Sequence, residues 1–94
     1  MNSNGFPTAL WVVPVPEFGG VARHVVDMAR AGLPGFNLVV LAPEGKLTSR
    51  LEELDVTVIK AEFGPDYGFK TSFASLQKAI EQLRPDIVHS HLAY

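Results

Sequence analysis

The stretch TALWVVPVPEFGGVARHVVDMARAG, residues 8–32, decides the fold of this 94-residue chain. It opens with a continuous apolar run, residues 8–15, which is typical of a strand buried on both faces of a parallel sheet. Over residues 21–32 the hydrophobic residues recur at helical spacing instead. Gly19 and Gly20 lie in the loop between these two patterns. The stretch therefore predicts a strand, a glycine loop and a helix.

Two further strands are predicted at residues 37–43 and 56–59, where short apolar runs are bounded by turn residues. A short helix is predicted between them by three leucines at helical spacing: Leu47, Leu51 and Leu54. Asp55 is expected to end this helix, because aspartate tolerates a left-handed backbone better than most residues.

The last third of the chain predicts a loop, a third helix and a fourth strand at residues 86–91. The loop, residues 60–70, contains aromatic side chains that either stack on a sugar ring or fold back onto their own domain: Phe63, Tyr67 and Phe69. Thr71 or Ser72 is expected to cap the helix. The side chains expected to face the sheet are Phe73, Leu76, Ile80 and Leu83.

This alternation predicts an α/β fold, a Rossmann-like parallel sheet with helices on both faces and strand order 3-2-1-4. The winding then reverses between the first and fourth strands, and ligands of open α/β sheets bind outside the carboxyl ends of strands at that point. The first strand leads into Gly19 and Gly20, and the fourth carries His89 and His91. We therefore expect these four residues to form a substrate-binding site.

Each half of this expected site has a simpler interpretation. The glycines need only be a strand-to-helix turn, since neither a dinucleotide fingerprint nor a P-loop is present. A His-x-His pair can bind a metal, but no third ligand is evident, so neither a metal nor another cofactor is expected. The position of His89 and His91 at a strand end favours a polar ligand such as sugar hydroxyls.

Composition excludes several classes of protein. A net charge of −2 argues against nucleic-acid binding, and the absence of cysteine excludes disulfide scaffolds and zinc-thiolate sites. The first residues do not have the pattern of a signal peptide, and a cytoplasmic location is expected. Phospho-receiver chemistry would require acidic residues where Pro14, Val15 and Lys60 stand. A flavin site would require hydroxyl side chains that the first loop lacks.

Four segments together resemble the N-terminal part of group-4 (retaining) glycosyltransferases of the GT-B fold. They are VPVPEFGGVARHVVDMARAG, FNLVVLAPEG, LEELDVTVI and LRPDIVHSH, in this order along the chain. This chain departs from the family pattern at two positions that are not catalytic: Phe36, where the family often has histidine, and Asp55, where it often has glycine.

The resemblance implies transfer of a hexose from a nucleotide-sugar donor to a carbohydrate or lipid-linked acceptor, with retention of anomeric configuration. It implies that Gly19 and Gly20 lie beside the donor diphosphate and sugar, while a separate domain holds the nucleotide. The expected organisation is a flexible N-terminus, residues 1–8, and a partial N-terminal glycosyltransferase domain, residues 9–94.

The resemblance also implies that the chain lacks the rest of that domain and the donor-binding domain. We therefore expect no transferase activity from the chain alone. We also expect it to self-associate through an open edge strand between Asp86 and His91. The alternative is a stand-alone α/β binding or interaction module without catalysis.

Overall fold

Strands and helices alternate in the computed structural model, which describes residues 5–14 and 20–90, the side chains of residues 20–22 excepted. The elements are β1 (Thr8–Val12), α1 (Gly20–Ala31), β2 (Asn37–Ala42), α2 (Lys46–Glu53), β3 (Thr57–Lys60), α3 (Gly68–Leu83) and β4 (Ile87–Ser90). A 3₁₀ turn, Pro65–Tyr67, leads directly into α3.

The strands form one parallel sheet in the order β3-β2-β1-β4. This confirms the predicted fold class and strand order. β1 lies inside the sheet between two neighbours, and all five of its residues are buried, which explains the apolar run that follows Thr8. β3 and β4 form the two edges.

Alternate residues of the sheet pack into two separate cores. Trp11 and Val40 pack beneath α1 and α2 with Val25 and Leu51. On the other face, Leu10 and Leu41 pack against Ala79 of α3. The helices therefore cover both faces of the sheet, as predicted. Right-handed crossovers place the first two helices together and the third on the opposite face.

The left-handed residue expected after α2 is present. Asp55 has φ +62°, and its amide donates to the Glu52 carbonyl oxygen at 3.0 Å. Leu47 and Leu51 are buried beneath the helix, so the leucine pattern identified its inner face correctly.

For α3, the predicted cap was wrong and the predicted inner face was only partly confirmed. The helix begins at Gly68, before Thr71, and the Ser72 hydroxyl instead exchanges two hydrogen bonds with the backbone of Gly64. Of the four side chains expected to face the sheet, Leu76 and Leu83 pack against the core together with buried Ala79. Phe73 and Ile80 are instead 56% and 37% exposed.

The orientation of α3 explains why its apolar stripe is partly exposed. The Ser75 hydroxyl on its polar flank donates to the carbonyl oxygen of Glu62, just beyond β3, at 2.8 Å. The opposite flank, with Phe73 and Ile80, therefore faces the β4 edge. In the described part of the chain no element lies beyond that edge.

Candidate functional site

The carboxyl ends of β1 and β4 lie side by side at the centre of the candidate site. Their register pairs Trp11 with His89 and Val12 with Ser90. The winding of the sheet reverses between these two strands, so the structure places the expected crevice at their shared end.

Gly20 is the first residue of α1, the helix that follows β1. The first amides of a helix have no acceptor within the helix, and they carry part of the positive end of its dipole. Among the described residues, the first turn of α1 contains no acidic residue. This helix start is therefore suited to an anionic group. Gly19 lies outside the described residues.

His89 is exposed on β4. Because paired residues of a parallel sheet share a face, its register with Trp11 places it on the side of the sheet that α1 covers. The structure thus brings Gly20 and His89 to the same end and the same side of the sheet. His91 lies outside the described residues, so its expected alignment with His89 stays a prediction.

A cleft of about 310 Å³ also lies at the carboxyl ends of the strands, but on the face of the sheet that α3 covers. Its lining residues come from the end of β1, the segment after β3 and the first turns of α3: Pro14, Phe63, Gly64, Pro65, Gly68, Phe69 and Ser72. We call it the Pro14–Phe69 cleft. Of the three aromatic residues in the predicted loop, Phe63 is buried in the core and Tyr67, in the 3₁₀ turn, is 42% exposed. Phe69 lies in α3 instead of the loop and is 83% exposed.

Gly64 fixes one wall of this cleft. Its φ of +115° with ψ −179° is a backbone conformation that only glycine adopts readily. A Cβ atom at this position would collide with the carbonyl oxygen of Pro14. The close approach of these two backbones was not predicted from the sequence, although the Gly-Pro pair at residues 64–65 marks a turn.

A wider groove of about 950 Å³ runs between the outer faces of α1 and α2. Its charged lining alternates in sign, with Arg23, Arg30, Lys46 and Arg50 among Asp27, Glu44 and Glu53. Arg50 and Glu53 already form an exposed ion pair at 3.0 Å. Opposite charges on exposed neighbouring helices are typical of solvated faces, so we assign no ligand to this groove.

In the described ranges 5–14 and 20–90, no three His, Cys, Asp or Glu side chains come together as potential metal ligands. The helices within these ranges are all too short or too polar to cross a membrane.

Comparison with known proteins gives this geometry a family context. A family model described as Glycosyltransferase Family 4 matches residues 18–94, which is most of the chain. Searches of curated proteins and of solved structures gave no match. The matched region contains both glycines and the segment LRPDIVHSH, with its Pro85-Asp86 pair and its histidines, on which the sequence resemblance rested. The chain therefore belongs to glycosyltransferase family 4.

Proposed function

We propose that this chain is the acceptor-side part of a retaining glycosyltransferase, which transfers a hexose from a nucleotide-sugar donor to a carbohydrate or lipid-linked acceptor. The family match supports the glycosyltransferase class. One observation supports the proposed site: His89 pairs with Trp11 near the end of β1, and Trp11 faces the side of the sheet that α1, the next helix along the chain, covers. Residues 9–94 would then form part of the N-terminal domain.

The geometry favours an electrostatic contribution to transfer. Negative charge develops on the leaving diphosphate as the bond between the sugar and phosphate breaks. The amide dipoles at the start of α1 would stabilise that charge near Gly20. His89, exposed on the same side, would hydrogen-bond a sugar hydroxyl and so position the ring. On this proposal neither residue transfers a proton, and no catalytic residue is assigned.

On the same proposal the 94-residue chain has no turnover of its own, because a second domain supplies most of the nucleotide contacts and closes the cleft. Incubation with UDP-glucose and GDP-mannose should release no nucleotide above a buffer control. Steady nucleotide release that requires the chain and an added acceptor would contradict the proposed inactivity.

Donor contact can be tested separately from turnover. We would titrate the ¹⁵N-labelled chain with UDP-glucose and GDP-mannose, with glucose alone as the control. The expected result is a weak, saturable shift of the Gly20 and His89 amide signals by a sugar nucleotide and not by glucose. Shifts confined to residues distant from the β1–β4 ends would overturn the proposed donor site.

We also propose that the chain self-associates through β4. All four residues of this edge strand are exposed, with Ile87 and Val88 each 46% exposed, and none of the four is a charged Lys, Arg, Asp or Glu. The opposite edge strand, β3, ends at Lys60, which is paired with Glu52 at 3.3 Å. Charged residues protect edge strands from pairing with other chains. Because β4 lacks such charged residues and β3 has one, we expect a second copy of the chain to pair with β4.

A further inference from the structure

The Pro14–Phe69 cleft has an apolar lining that the donor site does not use. It lies on the α3 face of the sheet, whereas Gly20 and His89 lie toward the α1 face. The cleft and the proposed donor site both open at the carboxyl ends of the strands, on opposite sides of the end of β1. A molecule bound in the cleft would therefore lie beside a donor without occupying the same space.

The shape of the cleft is fixed by backbone contacts. Gly64 lies too close to the Pro14 carbonyl oxygen for any side chain to intervene. The Gly64 amide donates to the Ser72 hydroxyl oxygen, and this hydroxyl donates to the Gly64 carbonyl oxygen, both at 3.0 Å. These contacts join the end of β1, the segment after β3 and α3, so the cleft exists before any ligand binds.

The chemistry of the lining selects against a hydroxyl-rich ligand. Apart from that of Ser72, its side chains belong to proline and phenylalanine, and its two glycines contribute only backbone. The Ser72 hydroxyl donates its only proton to Gly64. A buried sugar hydroxyl would lose its hydrogen bonds to water and find few replacements here, which costs free energy. An apolar group makes no hydrogen bonds to water, so it loses none on entering the cleft.

Phe69 provides an exposed aromatic wall. Its side chain is 83% exposed although it is large and apolar, and it stacks on Phe73 with ring centroids 6.0 Å apart. Covering such a ring with an apolar ligand group removes area of both partners from water. Phe69 therefore offers an exposed apolar wall to a ligand in the cleft.

We infer that the Pro14–Phe69 cleft binds the uncharged apolar part of the acceptor, an aryl or alkyl group, while the acceptor hydroxyl points toward the donor site. The identification of this ligand as the acceptor rests on the proposed function. The binding of an apolar group in the cleft does not depend on it. A volume of about 310 Å³ suits a group of this size, at the small end of the range for ligand pockets.

Three glucosides that share one sugar test the inference. The ¹⁵N-labelled chain is titrated with phenyl β-D-glucoside, with octyl β-D-glucoside below its micelle concentration, and with methyl β-D-glucoside. We expect the phenyl or the octyl compound to shift the amide signals of Gly64, Gly68 and Phe69, and the methyl compound to leave them unchanged. Tighter binding of phenyl glucoside identifies an aryl group, and tighter binding of octyl glucoside an alkyl group.

Two phenylalanine variants locate the binding. Phe69→Ala should weaken it about tenfold, the loss expected for one aromatic contact with its buried area. Phe6→Ala is the matched control, since Phe6 is also exposed but precedes β1 at the opposite edge of the sheet, and it should bind like the unchanged chain.

Equal shifts by all three glucosides would overturn the inference, because they would indicate a sugar site. Absence of binding by both apolar compounds, or unchanged binding by Phe69→Ala, would also overturn it. No sugar nucleotide is present, so these outcomes are independent of the donor titration. If no sugar nucleotide binds but the apolar glucosides do, the ligand can no longer be identified as an acceptor. The cleft is then still shown to bind an apolar group.

Discussion

Thr8 and Asp86 join the amino ends of β1 and β4 by two reciprocal hydrogen bonds, although they lie 78 residues apart. The Thr8 amide donates to Asp86 Oδ2 at 2.7 Å, and the Asp86 amide donates to the Thr8 carbonyl oxygen at 2.8 Å. This pair sets the register in which Val12 meets Ser90 at the other end of the strands. Asp86 of the segment LRPDIVHSH thus has a structural role at the amino ends of the strands, opposite the candidate site.

Asp86→Ala should lower the free energy of unfolding by about 1 kcal/mol. This is less than the roughly 1.5–3 kcal/mol of a hydrogen bond to a charged group, because Asp86 is exposed to water. Asp86→Asn keeps one acceptor oxygen and should lose less. Urea denaturation measures both. Glu81→Ala, an exposed change on α3, should stay within about 0.5 kcal/mol of the unchanged chain. Equal stability of the Asp86→Ala and Glu81→Ala variants would contradict a role for the Thr8–Asp86 pair.

Gly64→Ala should be more destabilising than Gly35→Ala. Both glycines have positive φ, +115° and +81°, so both changes strain the backbone, at about 1–2 kcal/mol. Only at Gly64 would the new methyl group also meet the Pro14 carbonyl oxygen, while the space around Gly35 is open. Thermal unfolding monitored by circular dichroism would compare the two. Equal melting temperatures would show that the contact with Pro14 relaxes without cost.

His89→Ala should weaken sugar-nucleotide binding roughly fivefold, as expected for the loss of one hydrogen bond of about 1 kcal/mol. The fold should be unchanged, because His89 is exposed. Gln77→Ala is the control, since Gln77 is also polar and exposed but lies on α3, on the other face of the sheet. The measurement is the UDP-glucose titration described above. Equal affinities of the two variants would remove His89 from the proposed site.

Val88→Lys should shift self-association toward the monomer, since a lysine in the middle of β4 places charge on the edge where a second strand would pair. Thr57→Lys makes the same change on β3, the other edge strand, and should leave the association unchanged. Sedimentation velocity over a range of concentrations measures both. A monomeric unchanged chain at high concentration would rule out the proposed assembly.

Much of the fold could be predicted because local patterns agree with the tertiary structure. The apolar run of β1 and the leucine spacing of α2 match their burial, and the strand order follows from crossover handedness. The same handedness brought Gly20 and His89 to one edge. A periodic pattern does not say which flank of a helix another element will cover, so Phe73 was assigned to the core.

The Pro14–Phe69 cleft could not be predicted because it depends on contacts between distant residues. Ser72 is a reasonable N-cap by sequence, yet its hydroxyl bonds to Gly64, eight residues earlier, and α3 begins before it. The approach of Gly64 to Pro14 joins segments fifty residues apart. Neither contact leaves a local pattern beyond the Gly-Pro turn.

The Thr8–Asp86 pair also orders events during synthesis on the ribosome. β1 is made first, but its β4 neighbour and the Asp86 carboxylate arrive only after 78 further residues have been added. Until then β1, whose five residues are all buried in the finished fold, has one side unpaired. Non-local pairing of this kind slows folding and exposes apolar strands to aggregation. We therefore expect the nascent chain to need protection by chaperones until Asp86 emerges.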